Sequence, residues 1–105
     1  MTIYKVFITA QAEIDIRNID DYISNELFCP DKAVKIVELI ERKVKTLSFF
    51  PERGRLYKAG KWAAYNVRVV SVKKYSILFY VDKENKIVTV LHVAYSRRDI
   101  DKLLH

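Results

Sequence analysis

A chain of 105 residues, half of them hydrophobic and with only two glycines and two prolines, has the size and composition of one packed domain; a second core or a disordered, low-complexity tail is excluded. No apolar run approaches the ~20 residues that cross a bilayer, and the first residues lack the order of a signal peptide, so a soluble, cytoplasmic protein without a membrane partner is expected. Cys29, the only cysteine, leaves no internal disulfide and no cysteine-built zinc site. The net charge of +6 is unevenly spread: residues 1–27 hold two basic and five acidic side chains, whereas residues 51–81 hold seven and one. Such a segment suits an acidic or polyanionic partner, and it equally suits a solvated surface that keeps a small domain soluble.

Ile3 to Thr9 alternate with a period of two and read as a strand. From Thr9, which is placed to cap, the spacing of Ala12, Ile16, Ile19, Ile23 and Leu27 predicts an amphipathic helix whose acidic residues Asp15, Asp20 and Asp21 lie on a solvated face. Pro30 and Asp31 suit the first turn of a second helix, with Ala33, Ile36, Val37, Ile40, Val44 and Leu47 on one face through Ser48, so the chain turns back near Phe28. Pro51 ends the helical pattern. Residues 52–64, with Gly54 and Gly60, read as a basic loop with room for a short strand. Strands follow at 65–72, 75–82 and 86–95, joined by turns of hairpin length, and residues 96–104 read as a short capped helix anchored by Ile100, Leu103 and Leu104.

The expected fold is therefore α+β, one domain over residues 1–105 in the order β-α-α-β-β-β with a short C-terminal helix, its mainly antiparallel sheet bearing two helices on one face. Alternation separates Asn66 and Arg68 from Val67 and Val69; with the two valines packed on the helices, Arg68 lies on the open face.

Two histidines are present. His92, within an apolar strand, has the titration range of a general acid or base, although a histidine bonded within the sheet is the favoured explanation. Arg53, Arg55, Lys73, Lys74, Arg97 and Arg98 are candidates to hold phosphate or an acidic target, since guanidinium and ammonium groups match such oxygens; ion pairing with neighbours is the alternative. Arg68 has no acidic residue within five positions and is the cation that local pairing explains least. Tyr65, Tyr75, Tyr80, Tyr95 and Trp62 offer stacking surface or cross-strand packing. There is no glycine-rich phosphate loop and no metal-ligand motif, so no cofactor is expected, and RNA cleavage by this chain would run without metal, with Arg68, His92 and Tyr95 as the candidate catalytic set.

The opening Tyr4-Lys5-Val6, the helix Ala10 to Ile16 followed by Asp21-Tyr22-Ile23, the turn Phe50-Pro51-Glu52-Arg53-Gly54-Arg55, the hairpin strand Tyr75 to Tyr80 and the ending Val90-Leu91-His92 through Arg97-Arg98-Asp99-Ile100 together resemble the RelE/ParE superfamily of toxins from bacterial type II toxin–antitoxin modules. The resemblance implies a growth-arresting toxin in a hetero-oligomer with an antitoxin that folds on binding and is often acidic. It also implies one of two targets. RelE-like members cleave mRNA on the ribosome without metal; ParE-like members block DNA gyrase and trap its cleaved DNA. RelE-like nucleases usually carry an arginine after the aromatic that opens the middle hairpin strand, and Ser76 stands there; Asn66 replaces a further basic residue. The ending is closer to ParE-like and plasmid-stabilisation sequences. Gyrase poisoning is accordingly favoured over mRNA cleavage, and an inactive member that only binds its partner as a co-repressor is the third reading.

Overall fold

A computed structural model of the protein describes residues 3–57, 66–96, 99–100 and 102. Strand β1 (Lys5–Ile8) leads into helix α1 (Ala10–Asp21), and Thr9 caps it as expected: its hydroxyl accepts the Ala12 N–H at 3.1 Å. The last part of the predicted helix is a π turn, Tyr22–Glu26, in which the Leu27 N–H reaches back five residues to the Tyr22 carbonyl at 3.1 Å. The chain then reverses at Phe28, in the left-handed region at φ 55°. Pro30 opens helix α2 (Pro30–Thr46), where its missing N–H leaves no bond unmade, and Asp31 lies beside the positive end of the helix dipole. Ala33, Ile36, Ile40 and Val44 hold the buried face of α2; removing one side chain such as Ile40 from water contributes about 1.5–3 kcal/mol.

The loop after α2 contains the short strand β2 (Arg55–Leu56), followed by β3 (Val67–Val72), β4 (Tyr75–Asp82) and β5 (Ile87–Ala94). Their order in the sheet is β1-β5-β4-β3-β2, antiparallel except for the parallel β1–β5 pair. A parallel neighbour requires a crossover, and the α1–α2 hairpin with the meander behind it supplies one. Asp99, Ile100 and Lys102 are helical, and Asp99 N–H donates to both the carbonyl and the hydroxyl of Ser96. Leu103 and Leu104, expected to anchor that helix, lie outside the described residues. No helix among the described residues is long and apolar enough to cross a membrane.

Both faces of the sheet are buried, and this corrects one expectation. Val70, Val72, Ile77, Phe79, Val81, Val88, Val90 and Val93 pack with the helices, while Val67, Val69, Leu78 and Ala94 form a second cluster with Tyr57 and Ile100 on the other side. Val67 and Val69 therefore face away from the helices, and Arg68 shares the face of Val70 and Val72. Alternation alone could not decide this, because β3 is apolar on both sides. In β5 the register slips between Leu78 and Phe79, which pair with His92 and Val90, so Leu91 is the extra residue of a bulge.

Candidate functional site

A groove of about 970 Å³ lies at the end of the sheet. The π turn and the start of α2 form one wall, the Lys73–Lys74 turn between β3 and β4 forms the other, and the end of β5 closes it. Its floor is aliphatic: Ile19, Ile23, Ile36 and Val93. Tyr22, Tyr75 and Tyr95 line it, with the rings of Tyr75 and Tyr95 edge to face at 5.6 Å between centroids and 84° between planes. Burial, then the neighbouring Tyr95 and Tyr22 hydroxyls, holds the Tyr75 phenol above its ordinary pKa, so it remains a neutral donor. Lys32, Lys73 and Lys74 also line the groove, and none of them makes an ion pair with a described residue. Lys73 adopts a left-handed φ of 55°, which lets the two-residue turn follow the strand twist.

Asp15 stands in the same wall, yet it is committed to structure and is not on a solvated face as its helix spacing suggested. Its carboxylate accepts the Val93 N–H at 3.0 Å and lies 3.3 Å from Nδ1 of His92, with only 14% of its side chain exposed. Strand β1 pairs with β5 as far as Val90; beyond it, Thr9 N–H and hydroxyl bond the carbonyls of Val90 and Leu91, and Asp15 supplies the next acceptor. His92 is thus tied by a helix carboxylate, Asp15 of α1, and not by a partner within the sheet.

The structure does not bring Arg68, His92 and Tyr95 together. Arg68 pairs with Phe79 in register, three residues along β4 from the Ser76–Ala94 pair beside Tyr95, about 10 Å of strand. Its guanidinium is occupied: Nη1 donates to the Glu52 carbonyl at 3.0 Å, Nη2 lies 3.3 Å from Glu52 Oε2, and Nε donates to Asn66 Oδ1 at 3.3 Å. The partner that sequence proximity failed to supply is sixteen positions away. Lys83 joins the same carboxylate at 3.0 Å. Arg53 turns to the hydroxyl of Thr46 at 2.8 Å and sits 5.8 Å from the Phe50 ring, and Arg55 is exposed on the edge strand β2. The basic segment is therefore divided: Arg53 is bonded to Thr46 and Arg68 to Glu52 and Asn66, whereas Lys73 and Lys74 line the groove. Arg97, Arg98, Trp62 and Tyr65 lie outside the described residues. Reasoning from the sequence missed Tyr22, Lys32 and the apolar floor as members of one site, since a π turn leaves no periodic signature. Among the described residues no three His, Cys, Asp or Glu side chains come together as a metal site would need.

Comparison with known proteins joins these observations. In fold the chain is similar to a protein of the chromosomal ParDE toxin–antitoxin system from P. aeruginosa, with a TM-score of 0.73 and 24% identity over 90% of this chain and 98% of that one. It is likewise similar to a chain of the RelBE2 toxin–antitoxin complex from Mycobacterium tuberculosis, with a TM-score of 0.64 and 21% identity over 90% and 93% of the two chains. A free mutant of the E. coli toxin RelE superposes with a TM-score of 0.67 at 12% identity over 97% and 93%. No curated protein matches the sequence. The family described as the ParE toxin of the type II toxin-antitoxin system, parDE, matches residues 6–100, which run from β1 through the whole sheet to Ile100, and the chain belongs to that family of toxins.

Proposed function

We propose that this toxin arrests growth by poisoning DNA gyrase and that it is held inactive by an acidic antitoxin. The observation that carries the choice of target is the state of the sheet cations. A metal-free ribonuclease must present cations to the charge that develops on phosphorus. Here Arg68 is bound to Glu52 and Asn66, and Ser76, at the position where the nucleases usually carry an arginine, is buried at 4% exposure. Lys32, Lys73 and Lys74 at the groove pair with no carboxylate among the described residues and sit beside aliphatic and tyrosine side chains, a mixture suited to binding a protein surface.

The test is gyrase with supercoiled plasmid and ATP, with and without the purified toxin, scored for linear DNA after denaturation. Toxin-dependent linear product is expected. Absence of product from folded protein that still arrests growth would overturn the gyrase reading and direct the search to ribosome-dependent mRNA cleavage. Absence of growth arrest from the intact chain would instead identify a member that only binds its partner.

A further inference from the structure

Helix α2 is uneven in charge around its axis. On either side of the stripe that Ala33, Ile36, Ile40 and Val44 bury, about 3.6 residues per turn place Lys32, Lys35, Arg42 and Lys43 on one flank, with Glu38, Glu41 and Lys45 toward the other. The basic flank is the one beside β3: Leu39, Arg42 and Lys43 border a crevice of about 320 Å³ whose far side is Ser71, Val72 and Lys73. None of the cations of this flank, nor Lys73, makes an ion pair with a described residue.

The backbone adds a donor at the same place. Strand β2 pairs with β3 only at Arg68 and Val69. The Val67 carbonyl, which accepts the Tyr57 N–H, points to that edge; by alternation so does the N–H of Ser71, past the end of β2, where no described residue bonds it. A concave site with a guanidinium, ammonium groups and a backbone N–H, and with no carboxylate among the described residues that line it, matches the oxygens of a phosphate.

We propose that the basic flank of α2 and the adjoining edge of β3 bind the sugar-phosphate backbone of duplex DNA, with one phosphate seated in the crevice between Arg42, Lys43 and Lys73. The proposal rests on the gyrase reading above and adds that the toxin grips the DNA on which gyrase acts as well as the enzyme. Lys32 and Lys43 stand about 16 Å apart along the helix at ~1.5 Å per residue, close to about five steps of a duplex strand at ~3.4 Å each. Other acidic partners fit less well. Single strands are held by aromatic ring faces, and no described aromatic side chain lines the crevice. A protein surface is anchored by apolar and aromatic side chains, which the crevice offers only as the part-buried Leu39 and the buried Val72. Lys73 also lines the groove, so DNA on this flank passes beside the surface offered to the enzyme, and a toxin that holds both opposes the resealing of a cut duplex.

Three fluorescein-labelled probes of matched net charge are titrated against the full chain by anisotropy over a range of salt: a short DNA duplex, a DNA single strand and a polyglutamate. The duplex is expected to bind tightest. In the double variant Arg42→Gln, Lys43→Gln its binding at low salt should weaken at least about tenfold, and its log–log salt slope should become shallower by about 2, since each lost phosphate contact removes about 0.9. Lys45→Gln, on the opposite flank of the same helix, should change neither, and circular dichroism checks the fold of each variant. No duplex binding, duplex binding unchanged in the double variant, an equal loss in Lys45→Gln, or tighter binding of the single strand or the polyglutamate would each overturn the proposal. The gyrase assay separates it from the wider reading. Linear product that falls in the double variant supports both; undiminished product from that variant overturns the DNA grip and keeps gyrase as the target. No product from wild type, with duplex binding still dependent on Arg42 and Lys43, overturns the gyrase reading and keeps the DNA surface.

Discussion

Asp15 illustrates how one side chain can stand in for a strand. The β1–β5 pairing ends at Val90 because the chain leaves β1 to begin α1, and the next inward-pointing N–H of β5, that of Val93, would face a helix with no acceptor. A buried N–H without a partner costs about 1–3 kcal/mol, and the Asp15 carboxylate at 3.0 Å removes that cost. Asp15→Ala is therefore expected to lower the stability of the free toxin by about 1–3 kcal/mol, with Asp15→Asn, which keeps a carbonyl oxygen, losing less. Urea unfolding gives the magnitude, and amide hydrogen exchange gives the place: Val93 should lose protection before its neighbours. A fully protected Val93 in the alanine variant would show that some other group serves this edge. Arg68 obeys the same accounting with the sign of the surprise reversed. A guanidinium that looked free for chemistry has its donors spent on Glu52 and Asn66, and Lys83 shares the carboxylate.

Among the elements, the shortest strand makes the tightest demand. Gly54 precedes β2 at φ 69°, and a Cβ built there would collide with the Val69 carbonyl oxygen, so both the backbone conformation and the contact with β3 require glycine. Gly54→Ala is expected to cost about 1–3 kcal/mol and to detach β2, read as a lowered unfolding midpoint together with faster exchange at the amides of Arg55 and Leu56; a midpoint equal to wild type would show that this edge does not contribute to the fold. The larger elements were legible beforehand for local reasons. The Thr9 cap, Pro30 in the first turn of α2 and the apolar run Ile77 to Val81 of β4 are each written within a few neighbouring residues. What escaped the sequence is non-local. Val67, Val69, Val70 and Val72 are apolar on both faces, so alternation gives the two sides of β3 without saying which meets the helices. The π turn hides inside a helical spacing that Ile23 and Leu27 continue, and the bulge at Leu91 is set by the meeting of β4 with β5. The candidate site suffered most, since Lys32, Lys73, Tyr22 and Tyr95 come from four separate segments that only the packed sheet brings to one groove.

At the scale of the whole molecule, the described cations that flank β3 stand in two separate places. At one end of β3 the cations surround Glu52; beyond the other end stand Lys73 and Lys74, with Lys32 across the groove. Arg68 and Lys73 are five residues apart along β3 and its turn, about 17 Å of strand, or roughly two Debye lengths of about 8 Å at physiological ionic strength. Each end therefore acts on a partner as its own field, and the Glu52 carboxylate reduces the strength of one of them. If gyrase is approached through the groove end, toxin carrying Lys73→Glu and Lys74→Glu should need on the order of tenfold more protein than wild type for the same linear product at low salt, because rim charges act mainly through steering and salt-dependent attraction. Taking the variant-to-wild-type ratio at each salt concentration cancels the response of gyrase itself, and that ratio should shrink toward unity as salt rises. A ratio independent of salt would mean that the two lysines act by close contact instead of long-range field. An equal deficit from Lys83→Glu, at the opposite end, would mean that the charge acts as a whole and that the division of the basic segment by the fold has no bearing on the target.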